Sequence, residues 1–509
     1  MTNSGRRQFL TATGALGAAS LASLAGRAEA APVPSRWDTE VDVIVVGTGL
    51  AGMCAGIVAA EKGSKTLIVD KMARLGGTSL ISGLNFACVG SALQKEQRIE
   101  DTPESLAADM AAVSGGLGDP ELALVMARGT ARLYQFLSER GVKWDGQLKK
   151  LGGHSAARVV WPEGGGTGVL FPLYEHASKL SNCEIRKQVK VDDIVLDARG
   201  RAVGLKVRER YRFDYLASND DIENGTGEVR HYRARQGIIF ATGGYSRDSA
   251  FRTAESPALG SVATTVYAGA LAGALKSMIR AGAHPVHMTL FRFAYPIPTE
   301  DLVWGVMIDP ANGKRFTNEG ANRLMIGDAV LERKRTNGQR TPFILYDEAG
   351  LNSFHDKQRL DLSLHDLNGI DGTMLKFDSL EAVAKHHKVA LDALSATVAR
   401  YNELLTQGAD TEFKKPLERS GRKVQPVAKP PYFTMPVNPR LNYTQGGARI
   451  NDKAQVLRYS DGKPIPGLYC AGEATGGLHG RSRLTACSMP ECGVFGLIAG
   501  DNVVSETGA

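Results

Sequence analysis

An α/β fold is the class this sequence predicts, on three observations. A short β-branched run, Val41 to Val46, leads directly into Gly47-Thr48-Gly49-Leu50-Ala51-Gly52. A helical stretch, Met53 to Lys62, is stopped by Gly63, and a second strand, Thr66 to Val69, ends at Asp70. The chain then returns twice to a strand running into a glycine turn, at Gly237 to Gly244 and at Pro466 to Ala474.

The first unit is a complete βαβ with G-x-G-x-x-G at its first turn and an acid about twenty residues later, the arrangement that holds a dinucleotide. Gly47 permits the tight turn, Gly49 lets the backbone approach a pyrophosphate, and Gly52 lets helix and strand pack closely. The helix start offers free N–H groups and the positive end of the helix dipole, with Leu50 and Ala51 in the turn before it against the cofactor. Asp70 is placed to accept hydrogen bonds from ribose hydroxyls. Lys71 follows, then Gly76-Gly77-Thr78-Ser79 and Ser82-Gly83. A second small-residue loop so soon after the acid suits a ligand extending beyond the pyrophosphate, and so FAD over NAD. The later turns, Ala241-Thr242-Gly243-Gly244 and Ala471-Gly472-Glu473, return to the same ligand.

Composition is ordinary for a globular protein: 509 residues, 43% hydrophobic and 23% charged, long enough for more than one domain. The 58 glycines exceed expectation. Gly5-Arg6-Arg7-Gln8-Phe9-Leu10, a stretch of small and apolar residues to Leu24, and Ala28-Glu29-Ala30 read as an export signal of the twin-arginine type over residues 1–30. The expected location is the periplasm. Loss of that segment removes three Arg and one Glu and lowers the net charge from +7 to +5, too little to argue for nucleic acid. No later stretch is apolar enough for a bilayer span, so no stable membrane insertion is expected. The six cysteines sit mostly in small apolar surroundings and read as buried hydrophobes; no Cys-x-x-Cys-His haem motif and no metal-ligand spacing occurs.

The motifs Gly47-x-Gly49-x-x-Gly52, Gly76-Gly77-Thr78-Ser79, Ala241-Thr242-Gly243-Gly244, His284-Pro285, Gly313-Lys314-Arg315-Phe316 with Glu319 and Arg323, and Ala471-Gly472-Glu473 through His479-Gly480 to Arg483-Leu484 run in one order from about residue 40 to 500. In these the chain resembles the fumarate reductase/succinate dehydrogenase flavoprotein superfamily, in particular its soluble flavocytochrome c-like branch. The resemblance implies a Rossmann-like FAD-binding domain, 36–279 completed by 442–509, with an inserted α+β capping domain, 280–441. It also implies that Val189, Ser488 and Met489 lie against the cofactor. No histidine stands where relatives attach FAD covalently, so a non-covalent cofactor is expected.

The superfamily reduces or forms a C=C bond beside a carboxylate, a task that requires anion binding, polarisation and a proton donor. By resemblance, Arg323 is the acid, His284 holds substrate at the capping-domain hinge, and Arg483 clamps the carboxylate, with Arg481 the competitor. Glu319, a turn before Arg323, is its candidate ion-pair partner. Two departures stand out. Asn442-Tyr443-Thr444-Gln445-Gly446-Gly447 replaces a His-x-Thr-Met-Gly-Gly segment, and Thr299-Glu300 is followed by Val303 where an arginine of the proton relay would fall. Arg292 or Tyr295, in Phe291 to Pro296, could stand in for it. A monocarboxylate, or an aromatic or branched enoate, is therefore favoured over a dicarboxylate. The leading expectation is an enoate reductase fed by an external donor, with a c-type cytochrome as the candidate. An oxidative dehydrogenase of the 3-ketosteroid Δ1 type, using tyrosines such as Tyr443, and a non-catalytic flavin carrier remain open alternatives.

Residues 379–407 are expected to be helical, 408–440 a polar crossing between domains, and 214–228 a surface excursion between two strands.

Overall fold

The computed structural model describes residues 31–505, and the expected export segment, 1–30, lies outside them. A run of β-branched side chains buried on both faces favours a parallel strand in the middle of a sheet. Thr39–Val46 is such a strand, paired in parallel with Thr66–Asp70 on one side and Glu228–Phe240 on the other. Cys183–Lys187 extends the sheet beyond Thr66–Asp70. Pro464–Cys470, from near the end of the chain, joins Glu228–Phe240 in parallel, with Leu468 opposite Ile238. Lys190–Leu196 and Ala202–Glu209 add an antiparallel meander that runs into Glu228–Phe240.

The helix Leu50–Glu61 is buried from Leu50 to Ala60. Such a helix needs apolar partners all round. The sheet covers one side, and the C-terminal helix Ser488–Val503 covers another at close range. An added Cβ at Gly496 would stand 2.5 Å from the Ala51 carbonyl oxygen, and one at Gly500 2.6 Å from that of Ala55. The two glycines, four residues apart, let the helix backbones meet. The helix starts at Leu50, three residues ahead of the sequence-based boundary, because Gly49 is already its N-cap.

A second, antiparallel sheet is drawn from Val306–Asp309, Lys314–Arg315, Phe343–Asp347, Leu375–Phe377 and Tyr432–Pro436. Leu380–His387 and Leu391–Thr406 are the expected helices. Residues 408–440 are more than a crossing: Tyr432–Pro436 is mostly buried and pairs with Phe343–Asp347 and Leu375–Phe377. Its apolar side chains outweigh the Pro-rich flank. The excursion at 214–228 is also less superficial than expected. Asn219 and Asp220 are buried, and Asp221 forms an ion pair with Lys71 at 3.0 Å. Between the two large sheets runs a short pair, Phe291–Ala294 against Arg440–Thr444, with a register irregularity between Arg292 and Phe293.

No helix among the described residues is long and apolar enough to cross a membrane. The six cysteines are unpaired; Cys54, Cys88, Cys470 and Cys487 are buried. Burial raises the Cys54 and Cys487 thiols to about 12, far from reactive thiolates.

The first turn depends on Gly52, where an added Cβ would lie 1.9 Å from the Gly47 carbonyl oxygen. Gly52→Ala is expected to destabilise the protein by about 3 kcal/mol and to yield flavin-free material. Thermal unfolding and visible flavin absorbance check both.

Candidate active site

A cleft opens where the parallel strands end. Gly47, Gly49, Leu50, Ala51, Asp70, Lys71, Gly76, Gly77, Thr78, Ser79, Val189, Ala241, Thr242, Gly243 and Glu473 all line it. The turn is braced from within. Asp70 accepts bonds from the Thr48 amide at 3.0 Å and hydroxyl at 2.6 Å, and from the Met72 amide at 2.9 Å. The Thr48 hydroxyl oxygen accepts from the Gly76 amide at 2.9 Å, which ties the second glycine loop to the first. Ser79 accepts from the Leu50 amide at 3.2 Å. Gly49 provides no side-chain cap, so the helix start presents backbone donors to the cleft. Gly47, Gly76, Gly77 and Gly243 all have positive φ, a backbone that side chains rarely adopt. Backbone donors, an acid at the end of the second strand and close glycine packing fit FAD.

Several expected contacts act one layer back. Gly52 packs on Gly47, and Gly472 lies against Cys492 and Ala51. A Cβ on Gly244 would meet Glu473 Oε1 at 2.4 Å, so this glycine makes room for that acid. Ser82 accepts from the Leu84 amide, and Gly83 lies beside Gly165. Ser488 and Met489 begin the C-terminal helix, with Met489 fully buried. The cleft also contains Lys190, Asp221 and Tyr267, which sequence reasoning missed. Lys190 and Asp221 meet through the acidic segment joined to Lys71, and Tyr267 bonds Thr78 and Arg74, contacts visible only once folded.

Glu473 links the cleft to the substrate side. It accepts from the Thr444 amide at 2.9 Å and hydroxyl at 3.3 Å, while burial raises its carboxyl to about 7, with Arg483 opposing. Arg483 is 7% exposed and its guanidinium lies 4.5 Å from the Tyr443 ring centre. Arg481 points to solvent, so Arg483 is the inward member of the pair. Arg323 opens the helix Arg323–Thr336 behind its Asn322 cap, and its Nη1 donates to the Phe293 carbonyl at 3.3 Å. The Tyr295 hydroxyl donates to the Arg323 carbonyl at 3.2 Å. Arg292, on the strand between, is 6% exposed, and its Nη1 donates to Asn442 Oδ1 at 3.3 Å.

The three guanidinia act on one another. Burial, then repulsion from Arg323 and Arg483, pulls Arg292 well below its ordinary range, with Glu300 opposing. Burial also lowers Arg323, again against Glu300. Beneath them Tyr443 donates to Glu491, whose Oε2 lies 2.9 Å from His479 Nε2. Burial pushes Glu491 up and His479 down. Both shifts favour the uncharged form of each group across this 2.9 Å contact.

Two expected residues are not brought to this cluster. His284 meets Tyr459 edge-on, with ring centres 5.0 Å apart, and Tyr459 is 71% exposed. Its amide donates to Leu457. His284 is thus half-buried against an exposed ring, and no contact among the described residues ties it to the arginines of the cluster. Glu319 does not pair with Arg323. It is fully buried, bound by Arg315 at 2.9 and 2.8 Å and by Lys415 at 3.4 Å, with the Met307 amide at 3.0 Å. The i,i+4 geometry expected for Arg323 fails because the helix begins only at Arg323, while Glu319 lies in the loop before it.

Removing Glu319 leaves buried Lys415 without a paired carboxylate and Arg315 with Asp410 alone, so Glu319→Ala is expected to cost about 3 kcal/mol, read by chemical denaturation. Glu473 gives a pH signature in flavin-free protein. Its raised folded value favours the protonated acid, so its contribution is full below about 4.5 and is lost as pH rises through about 7. The melting temperature of Glu473→Gln relative to the parent is therefore expected to be higher at pH 8 than at pH 5.

The FAD binding domain model matches residues 42–489. The chain is 34% identical to the acrylate reductase flavoprotein subunit of Shewanella woodyi over 97% of both chains. It is 30% identical to the urocanate reductase of Eggerthella lenta over 94% of this chain and 77% of that one. Among solved structures, the open conformation of a flavocytochrome c3 fumarate reductase superposes with a TM-score of 0.76 and 26% identity, covering 92% of this chain and 79% of that one. Together with the glycine-braced cleft, these matches show that the chain belongs to the FAD-binding family of the fumarate reductase/succinate dehydrogenase flavoprotein superfamily.

Proposed function

We propose that this protein is an FAD-dependent reductase that saturates the C=C bond of a short α,β-unsaturated monocarboxylate. One observation carries the reading: three guanidinia, Arg292, Arg323 and Arg483, gather beside the FAD cleft with no ion-paired carboxylate among the described residues. Buried positive charge without a partner is costly and suits an anionic ligand that completes it. The names of the relatives, acrylate and urocanate reductases, support the same class.

FAD, held without a covalent link by the turns at Gly47 to Gly52, Gly76 to Ser79 and Ala241 to Gly244, would supply the hydride chemistry. The residues of this chain do the rest. Arg483 takes the substrate carboxylate, where a planar donor pair suits two oxygens. Arg323 delivers the proton to the α carbon. Desolvation lowers its guanidinium, which makes it a better acid, and Glu300 is the nearby group that reprotonates it. Arginine positive charge also stabilises the negative charge that develops at the carboxylate. The antiparallel sheet with its helices serves as a cap over a Rossmann-like domain, and closure excludes water.

Tyr443, on which an oxidative reading rests, spends its hydroxyl on Glu491. The flavin-carrier reading leaves the arginines without a task. The electron donor is external, with a c-type cytochrome as the candidate, in keeping with a relative named as a flavoprotein subunit. The Arg6-Arg7 motif and the apolar stretch after it support a periplasmic setting for the reaction.

The FAD-loaded protein is expected to reoxidise reduced methyl viologen with acrylate and far less with fumarate. Arg323→Ala should lower kcat at least about a thousandfold with flavin content unchanged. Failure of acrylate, methacrylate, cinnamate and urocanate alike would sink the reductase reading.

A further inference from the structure

Most buried arginines in this protein are neutralised or capped. Arg158 is fully buried and bonded to Asp101 and Asp109. Arg315 is held by Glu319 and Asp410. Arg252 gives its terminal nitrogens to the carbonyls of Val262 and Gly260. Arg292 has neither arrangement. Its one hydrogen bond is the 3.3 Å contact to the Asn442 amide oxygen, and its Nε is buried with no partner. Arg483 Nε is buried and unpartnered too, as is Arg252 Nε, but Arg252 keeps its two carbonyl caps.

The strand pairing explains how Arg292 arrives there. Arg292 stands opposite Tyr443, and Phe293 opposite Leu441, so Asn442 is the extra residue of a bulge facing Arg292. A bulge re-aims side chains next to functional sites. Here it leaves the Asn442 side chain as the sole fixed acceptor for a guanidinium that would otherwise have none. Asn442 carries no charge, so it orients Arg292 without neutralising it. The neighbouring residue Tyr443 meets Arg483 through its ring. One strand segment, Asn442-Tyr443, therefore contacts both guanidinia.

We infer that Arg292 and Arg483 form a two-arginine seat for one carboxylate, with Asn442 as the positioning residue for Arg292, and that this seat selects monocarboxylates over dicarboxylates. The inference deepens the reductase reading and rests on its placement of an anionic substrate beside the cleft. With both guanidinia committed to one carboxylate, the remaining cation is Arg323, which the proposed reaction needs as a proton donor. A second carboxylate on the substrate would find no free partner, and Val303 adds none.

Carboxylate binding can be read without turnover. Oxidised, FAD-loaded protein is titrated with propionate, and with propionamide as a neutral isostere, by the change in flavin absorbance. Wild type is expected to bind propionate saturably, and Arg292→Gln to weaken it by about 30-fold. Arg292→Lys should recover part of the loss, and propionamide should be indifferent to all three. Asn442→Ala should weaken propionate binding by about 5-fold alone and add nothing to Arg292→Gln, the non-additivity of a shared interaction. If Arg292→Gln binds propionate within about 3-fold of wild type, or wild type shows no saturable response, the seat is overturned. Unchanged flavin content controls for folding, and Arg292→Lys with Asn442→Ala carries the test if the glutamine variant fails to load flavin. A protein that seats propionate through Arg292 yet reduces no enoate loses the reductase reading and keeps the seat.

Discussion

The arrangement depends on keeping positive charge buried without neutralising it. Three guanidinia come together from the short strand pair, the start of the helix Arg323–Thr336 and the loop before the C-terminal helix, and one acid, Glu300, opposes two of them. A cluster of like charges in low dielectric is unstable alone. The surrounding structure therefore has to hold it: Phe293 and Leu484 carbonyls take single bonds, Asn442 takes another, and the Tyr443 ring lies under Arg483. These are weak, neutral contacts. They orient the guanidinia and leave their charge available to a ligand.

The neighbouring acids show how that charge is protected. Glu491 and His479 lie close to the arginines, and a charged carboxylate there would capture one of them. Burial instead favours the neutral form of both, and the Tyr443 hydroxyl completes the network. Glu473, raised to about 7, stands between the cleft and Arg483. By contrast, the acid that sequence spacing assigned to Arg323, Glu319, is held below its usual range and consumed in a separate buried network with Arg315, Lys415 and Asp410. One chain thus keeps two kinds of buried arginine apart: those that tie the second sheet together and those that stay unpaired.

What a linear pattern reveals depends on how local the structure is. The βαβ turn spans about thirty residues, and its glycines are required by contacts within that span or with one strand. The helices at 380–406 follow from periodicity. Boundaries shifted where capping decided, as at Leu50, and segments judged by polarity alone were misjudged. Tyr432–Pro436 is a buried strand despite its Pro-rich flank, and Asn219 to Asp221 turns inward toward Lys71. His284 shows the limit of a two-residue motif: His-Pro says nothing about which way the ring faces, and here it faces Tyr459.

The sequence by itself determined the cofactor class and the α/β architecture around it, because a pyrophosphate turn is written in consecutive glycines and in the acid at the end of the next strand. It also named Arg323 and Arg483, as parts of ordered motifs. Only the tertiary structure decided what surrounds them. Arg292 and Asn442 are 150 residues apart and meet through a bulge in a two-strand pairing that leaves no periodic trace. Charge compensation is a property of distances in space. Which arginine is neutralised and which stays free could be settled only where the chain folds back on itself.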